Sequence, residues 1–205
     1  GGSFAGLAAA LQLGRARRTV VVFDTGRPRN RFAHASHGFL THDRESPAQI
    51  LEQGRQELAQ YGTVQIVLGE ASVERTRGGF TVMANGNSIQ AARVLLTYGV
   101  ADNIPKVDGL DAVWGTYAFH CPYCHGYEVR DQPLAVLNDT EGGRHAALLL
   151  RDWSADVILL TNGSSALKAA DRAMLKERGI VVNDMPISRV HSRDGKLDGI
   201  EFVNG

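Results

Sequence analysis

The chain's two cysteines stand three positions apart, in Cys121-Pro122-Tyr123-Cys124, with His120 and His125 on either side. A Cys-x-x-Cys pair can close one disulfide within a helical turn, and such a pair can trade electrons by thiol–disulfide exchange. If Cys121 precedes the turn and Cys124 lies inside it, the first thiol meets the positive end of the helix, which favours thiolate. Pro122 is tolerated at a helix start because its missing N–H is not needed there. His125 is the residue type that moves a proton near neutral pH, and Glu128 could orient it. Other readings stay open. The thiols could be inert, His125 could be a surface residue, or both histidines could complete a Cys2His2 metal cluster. The crowding of those four ligands makes tetrahedral closure awkward, so no metal is expected. A thioredoxin-like fold would place the pair after an early strand, whereas here it lies deep in the chain.

The elements that must position this pair are α/β in pattern. Gly1-Gly2-Ser3-Phe4-Ala5-Gly6 is a glycine-rich turn that opens into an apolar helix. Such a turn needs a strand before it, so the sequence is expected to begin inside a larger protein. Residues 19–23 read as a buried parallel strand ending in Asp24. Turn, helix, strand and acid make the second half of a dinucleotide-binding unit, with the glycines near a pyrophosphate and Asp24 on a ribose. Ser3 at the second-glycine position degrades the motif, and a glycine turn capping an ordinary α/β unit is the plainer alternative. A loop rich in arginine and histidine spans 25–47, followed by a helix over 47–61 and short strands over 64–68, 71–75, 80–83 and 88–91. A further buried strand is expected over 93–97, and a domain boundary near 101–111. After the cysteines the α/β pattern returns, with strands over 134–137, 156–160 and 180–182 and helices over 144–153 and 166–178. Two strands joined at Arg193-Asp194-Gly195 close the sequence. A nucleotide fold combined with an internal dithiol points to flavin, which mediates between hydride or dioxygen and a disulfide.

Bulk composition narrows the partners. In 205 residues, 22 basic side chains balance 22 acidic ones, and 43% of residues are hydrophobic. No basic excess points to nucleic acid, and no apolar run is long enough to span a bilayer. The expected compartment is the cytoplasm.

Three blocks carry a family resemblance: Gly1-Gly2-Ser3-Phe4-Ala5-Gly6-Leu7-Ala8-Ala9-Ala10, Gly26-Arg27-Pro28-Arg29-Asn30-Arg31-Phe32, and His120-Cys121-Pro122-Tyr123-Cys124-His125-Gly126-Tyr127-Glu128. Through them the chain resembles the low-molecular-weight thioredoxin reductases among the FAD-dependent pyridine nucleotide–disulfide oxidoreductases. It is also similar to the fungal dithiol oxidases of epipolythiodioxopiperazine biosynthesis. The resemblance implies an α/β fold of two Rossmann-like, three-layer nucleotide-binding domains, incomplete at both ends. Residues 1–112 would be the first part of a split FAD domain, and 113–205 a central NAD(P)-binding-like domain carrying the dithiol. It further implies FAD as cofactor, with Gly1, Gly2, Ser3, Ala5 and Gly6 at the pyrophosphate, Asp24 at the adenosine ribose and Asn30 in a covering loop. Cys124 would face the flavin and Cys121 would attack substrate. The family is homodimeric, and its partners would be a small dithiol or disulfide, or a thioredoxin-like protein.

The sequence departs from that pattern in ways that bear on function. The family's Ala-Thr-Gly strand end is Thr97-Tyr98-Gly99 here, with a large ring near a cofactor-contact turn. The central nucleotide turn is Asn138-Asp139-Thr140-Glu141-Gly142-Gly143, where two acids would repel phosphates. Asn162-Gly163-Ser164-Ser165 holds no cation for a 2′-phosphate. His125 stands where the reductases have aspartate, as in the dithiol oxidases. These features favour a dithiol oxidase with dioxygen as acceptor. An NAD(P)H-dependent disulfide reductase is the first alternative, and a non-catalytic flavin-binding protein the second.

Overall fold

A computed structural model describes residues 1–204. The chain divides into two compact units, Gly1–Asp102 and a second beginning at Asn103. Among the described residues no helix is long and apolar enough to cross a membrane.

The first unit opens with helix α1 (Phe4–Arg15), whose small-residue sequence lets it lie close to its neighbours. Leu7, Ala10 and Gly14 form its buried face. Strand β1 (Val20–Asp24) follows. The loop that comes next holds one 3-10 turn, Arg29–Phe32. Helix α2 (Pro47–Leu58) starts on a capping box: the Gln49 N–H donates to Ser46 Oγ at 3.2 Å, and the Ser46 N–H to Gln49 Oε1 at 3.3 Å. Pro47 occupies the first helical position, where its fixed φ is an advantage. Strand β2 (Val64–Leu68) pairs in parallel with β1, from Val20 opposite Val64 to Asp24 opposite Leu68. Leu7, Ala10, Val22, Leu51 and Leu58 make the core between sheet and helices. Strands β3 (Ala71–Thr76), β4 (Gly79–Ala84) and β5 (Asn87–Ala91) form an antiparallel meander. Asn85 and Gly86, both at positive φ, make the tight turn between β4 and β5.

The strand expected over 93–97 does not form. Leu95 and Leu96 are 63% and 64% exposed, and no neighbouring strand pairs with them among the described residues. An apolar run becomes a strand only where a ladder partner takes its N–H and C=O groups. Thr97 instead bonds through its side chain, Oγ1 donating to the Gly1 carbonyl at 2.7 Å.

The second unit contains a short helix, α3 (Pro122–His125), then strand β6 (Leu134–Leu137), helix α4 (Gly142–Leu150), strand β7 (Val157–Leu160), helix α5 (Ala169–Glu177) and strand β8 (Val181–Asn183). The three strands form a parallel sheet in the order β6-β7-β8. Val136, Ala147, Val157, Leu159, Leu175 and Ile180 are its buried core. Hairpin β9 (Ile187–Arg193) and β10 (Lys196–Phe202) turns on Asp194-Gly195, again with both residues at positive φ. Val190 of that hairpin packs with Val107, Leu110 and Val113 in a second cluster.

Candidate redox and nucleotide sites

Cys121 and Cys124 are joined by a disulfide, with Cα atoms 5.4 Å apart. Cys121 is the extended N-cap residue of α3, with φ −122° and ψ 106°, so the second cysteine turns back beneath the first. The Cys124 N–H donates to the Cys121 carbonyl at 3.3 Å, and the Gly126 N–H to the Pro122 carbonyl at 2.6 Å. Tyr123 and Cys124 are exposed, whereas Cys121 and His125 are half-buried.

Aromatic rings brace this turn. The imidazole of His125 stacks on Phe119, with centroids 4.0 Å apart and planes 13° from parallel. His120 stacks on Trp114 at 6.4 Å, and Tyr123 meets Trp153 edge-on at 5.6 Å. Gly126 is buried against the same indole: a Cβ there would lie 2.7 Å from the Trp153 ring and 2.6 Å from the Pro122 carbonyl. The guanidinium of Arg130 covers the exposed ring of Tyr127 at 4.1 Å. The Phe119 stack fixes the plane of the imidazole, which follows Cys124 directly in the sequence. Glu128 follows one turn on, its backbone N–H donating to the His125 carbonyl at 3.1 Å.

The glycine turn of the first unit forms a tight cradle. A Cβ on Gly6 would strike the Gly1 carbonyl, and one on Gly1 would strike the Thr97 carbonyl. On Gly2 it would come within 2.8 Å of the Asp24 side chain. Ser3 is the N-cap of α1, extended and making no side-chain cap bond, and Ala5 is exposed in the first turn. Asp24 ends β1 with 9% exposure. Close backbone, a helix N-terminus and a strand-end carboxylate are the parts a dinucleotide pyrophosphate and ribose need, so these residues fit FAD. Asn30 lies in the 3-10 turn, its carbonyl accepting from the Ala33 N–H at 3.0 Å. Arg29 beside it is paired with Asp102, whose hydrogen bond holds the guanidinium pKa above its ordinary value. Tyr98, the departure that questioned FAD packing, is 78% exposed.

The corresponding turn of the second unit is organised differently. Asn138 Oδ1 accepts from the Thr140 N–H at 2.9 Å and from Thr140 Oγ1 at 2.8 Å. Thr140 Oγ1 accepts in turn from the Gly142 N–H at 3.1 Å. The loop after β7 bonds back to it, the Ala166 N–H donating to the Asp139 carbonyl at 3.1 Å. The nearby cations are paired: Lys168 with Glu141 at 3.3 Å, Arg144 with Asp171 at 3.1 Å, and Arg172 with Asp184 at 2.8 Å.

The family model described as pyridine nucleotide-disulphide oxidoreductase matches residues 1–183. The chain belongs to that family. This oxidoreductase is thus an enzyme of the FAD-dependent disulfide-oxidoreductase type, resembling the low-molecular-weight thioredoxin reductases. It is 33% identical over 227 residues to the thioredoxin reductase sirT of Leptosphaeria maculans, across 97% of this chain and 69% of that protein. Among solved structures it is similar to an oxidoreductase from Agrobacterium tumefaciens, with TM-score 0.93 and 38% identity over all of this chain and 68% of that one. It is similar also to HlmI, with TM-score 0.92 and 40% identity over all of this chain and 65% of that one. The chain therefore spans about two thirds of the length of these relatives. Their likeness establishes the two-domain α/β Rossmann-like architecture expected from the sequence.

The structure gathers Cys121, Cys124 and His125 into one turn, and Gly1, Gly2, Gly6 and Asp24 into one cradle. It adds Phe119 and Trp153, which hold the dithiol turn, and Arg55, which pairs with Asp24. None of the three carries a sequence signal, because each contact joins residues from separate elements or loops.

Proposed function

We propose that this oxidoreductase is a nicotinamide-nucleotide-dependent thiol/disulfide reductase of the thioredoxin reductase type. The closed Cys121–Cys124 bond in a braced turn, beside a histidine, carries the reading. The relatives' names weigh toward a reductase, where the sequence alone put dioxygen first. Bound FAD would supply the two-electron step between a nicotinamide and the disulfide. Gly1, Gly2, Ser3, Ala5 and Gly6 would hold its pyrophosphate, Asp24 its adenosine ribose, and the Asn30 loop would cover it.

Two electrons and two protons open the bond to a pair of thiols. Cys121, at the N-cap of α3, is the attacking thiolate: it breaks the substrate S–S bond, releasing one substrate sulfur as a thiol and forming a mixed disulfide with the other. Cys124 then displaces the substrate's second sulfur, restoring the Cys121–Cys124 bond. His125 takes the proton from the attacking thiol and returns it to the leaving one. The substrate is a small disulfide or a thioredoxin-like protein, and the working form is a homodimer.

One observation favours a second reading, a dithiol oxidase running the other way to dioxygen. The turn at Asn138–Gly143 is internally hydrogen-bonded and acidic, a poor phosphate site. Anaerobic flavin absorbance on the full-length protein separates the two. Bleaching by NADH or NADPH supports the reductase. Bleaching by a dithiol alone, with colour returning in air, overturns it in favour of the oxidase.

A further inference from the structure

Asp24 sits at the end of β1 with its side chain 12% exposed, so water screens little of its charge. A carboxylate so placed needs a counter-charge, or it costs stability and its orientation drifts. Arg55, on α2, supplies one: its Nη2 lies 3.6 Å from Asp24 Oδ2. The same guanidinium is 3.7 Å from Glu52, one turn back on the helix, which keeps it in place. Gly2 lies against the same side chain, with no room for a Cβ.

The distance matters. At 3.6 Å the contact between Arg55 and Asp24 is an ion pair without a hydrogen bond. The carboxylate is held while its lone pairs remain available to donors. A ribose presenting two neighbouring hydroxyls is such a donor. We propose that Arg55 is a positioning residue for the cofactor, fixing the Asp24 carboxylate to accept hydrogen bonds from the adenosine ribose of FAD. This rests on the reading that Asp24 is the ribose acceptor, so the test treats the two separately.

The test uses full-length protein stripped of flavin. Binding of FAD, and of FAD lacking the adenosine 2′-hydroxyl, is followed by flavin fluorescence. Asp24→Asn must first weaken FAD binding; an unchanged affinity there refutes the ribose reading itself. With that established, Arg55→Met is expected to raise the dissociation constant of FAD on the order of 10-fold, within the range for a charge-assisted hydrogen bond. Arg55→Lys, which keeps the charge, is expected to recover part of the loss. The deciding result is the cycle between Arg55→Met and removal of the hydroxyl. If Arg55 acts through Asp24 on the ribose, the two losses do not add. Additive losses, or an unchanged affinity in Arg55→Met, overturn the proposal. Should Arg55→Met fail to fold, the same cycle with Arg55→Gln, which also removes the charge, decides.

Discussion

Replacing Gly126 by alanine tests whether packing against Trp153 sets the dithiol turn. The backbone at Gly126 is helical, with φ −61° and ψ −34°, so alanine carries no conformational strain. Propensity alone would favour it by about 1 kcal/mol. The new Cβ, however, would lie 2.6 Å from the Pro122 carbonyl and 2.7 Å from the indole. Ordinary contact begins near 3.4 Å, so about 0.7 Å of overlap must be relieved on two sides. Neither side yields easily, one being backbone and the other a ring already in contact with Tyr123. Overpacking of this kind costs about 1–3 kcal/mol, and overlap on two sides puts this case at the upper end, so after the propensity gain of about 1 kcal/mol a net loss of about 2 kcal/mol remains. Both tryptophans of the chain, Trp114 and Trp153, belong to the second unit. Their fluorescence in a urea titration therefore reports on that unit, and the midpoint should fall by on the order of 1 M. Trp153→Leu in the same chain should recover part of the loss, because it removes one of the two obstructions. A neutral or stabilising Gly126→Ala would refute the reasoning, showing that the turn does not rest on the indole.

Cys121→Ser and Cys124→Ser should each abolish turnover with a disulfide substrate while leaving flavin bound. If Cys124 faces the flavin, as the family resemblance implies, the oxidised flavin of Cys121→Ser should show a long-wavelength thiolate–flavin band in its absorbance and that of Cys124→Ser should not. The ion pair Arg172–Asp184 predicts a pH effect. The hydrogen bond from Arg172, and then that from Thr161, holds the Asp184 carboxyl below its ordinary value. Its contribution is therefore complete above the unfolded carboxylate range near pH 4 and is lost as pH falls through the lower folded value. Asp184→Asn should cost a small, constant amount near neutral pH, and the gap from wild type should close in acid denaturation below about pH 4. Lys168, Arg144 and Arg172 are already paired, so a 2′-phosphate meets no unpaired partner among these three, and NADPH should bind no more tightly than NADH. Asn162→Arg should raise NADPH affinity selectively, as measured by titration of each nucleotide.

Local chemistry made much of the fold readable. Asn85-Gly86 and Asp194-Gly195 each stand between β-forming runs, and both take the positive φ values that tight hairpins demand. Ser46 and Gln49 mark the start of α2, and the alternation of apolar strands with helices marks the parallel sheets. The cysteine pair and the glycine turn were visible because their chemistry depends on spacing within a few residues. The run 93–97 misled because apolar character alone does not say whether a ladder partner is present. Asp24 and Arg55 are 31 positions apart and meet only because α2 packs beside β1, a contact no local pattern encodes. Phe119 and Trp153 were hidden for the same reason: aromatic rings are ordinary core material until the fold shows what they face.

Each unit closes around its own buried residues, Leu7, Ala10, Val22, Leu51 and Leu58 in one and Val136, Leu159, Leu175 and Ile180 in the other. The two cores share no residue. The acidic, internally bonded turn at Asn138–Gly143 can drift away from phosphate recognition without loosening the glycine cradle that faces Asp24. A protein built this way can change its electron donor over evolutionary time while its flavin and dithiol chemistry stays as it was.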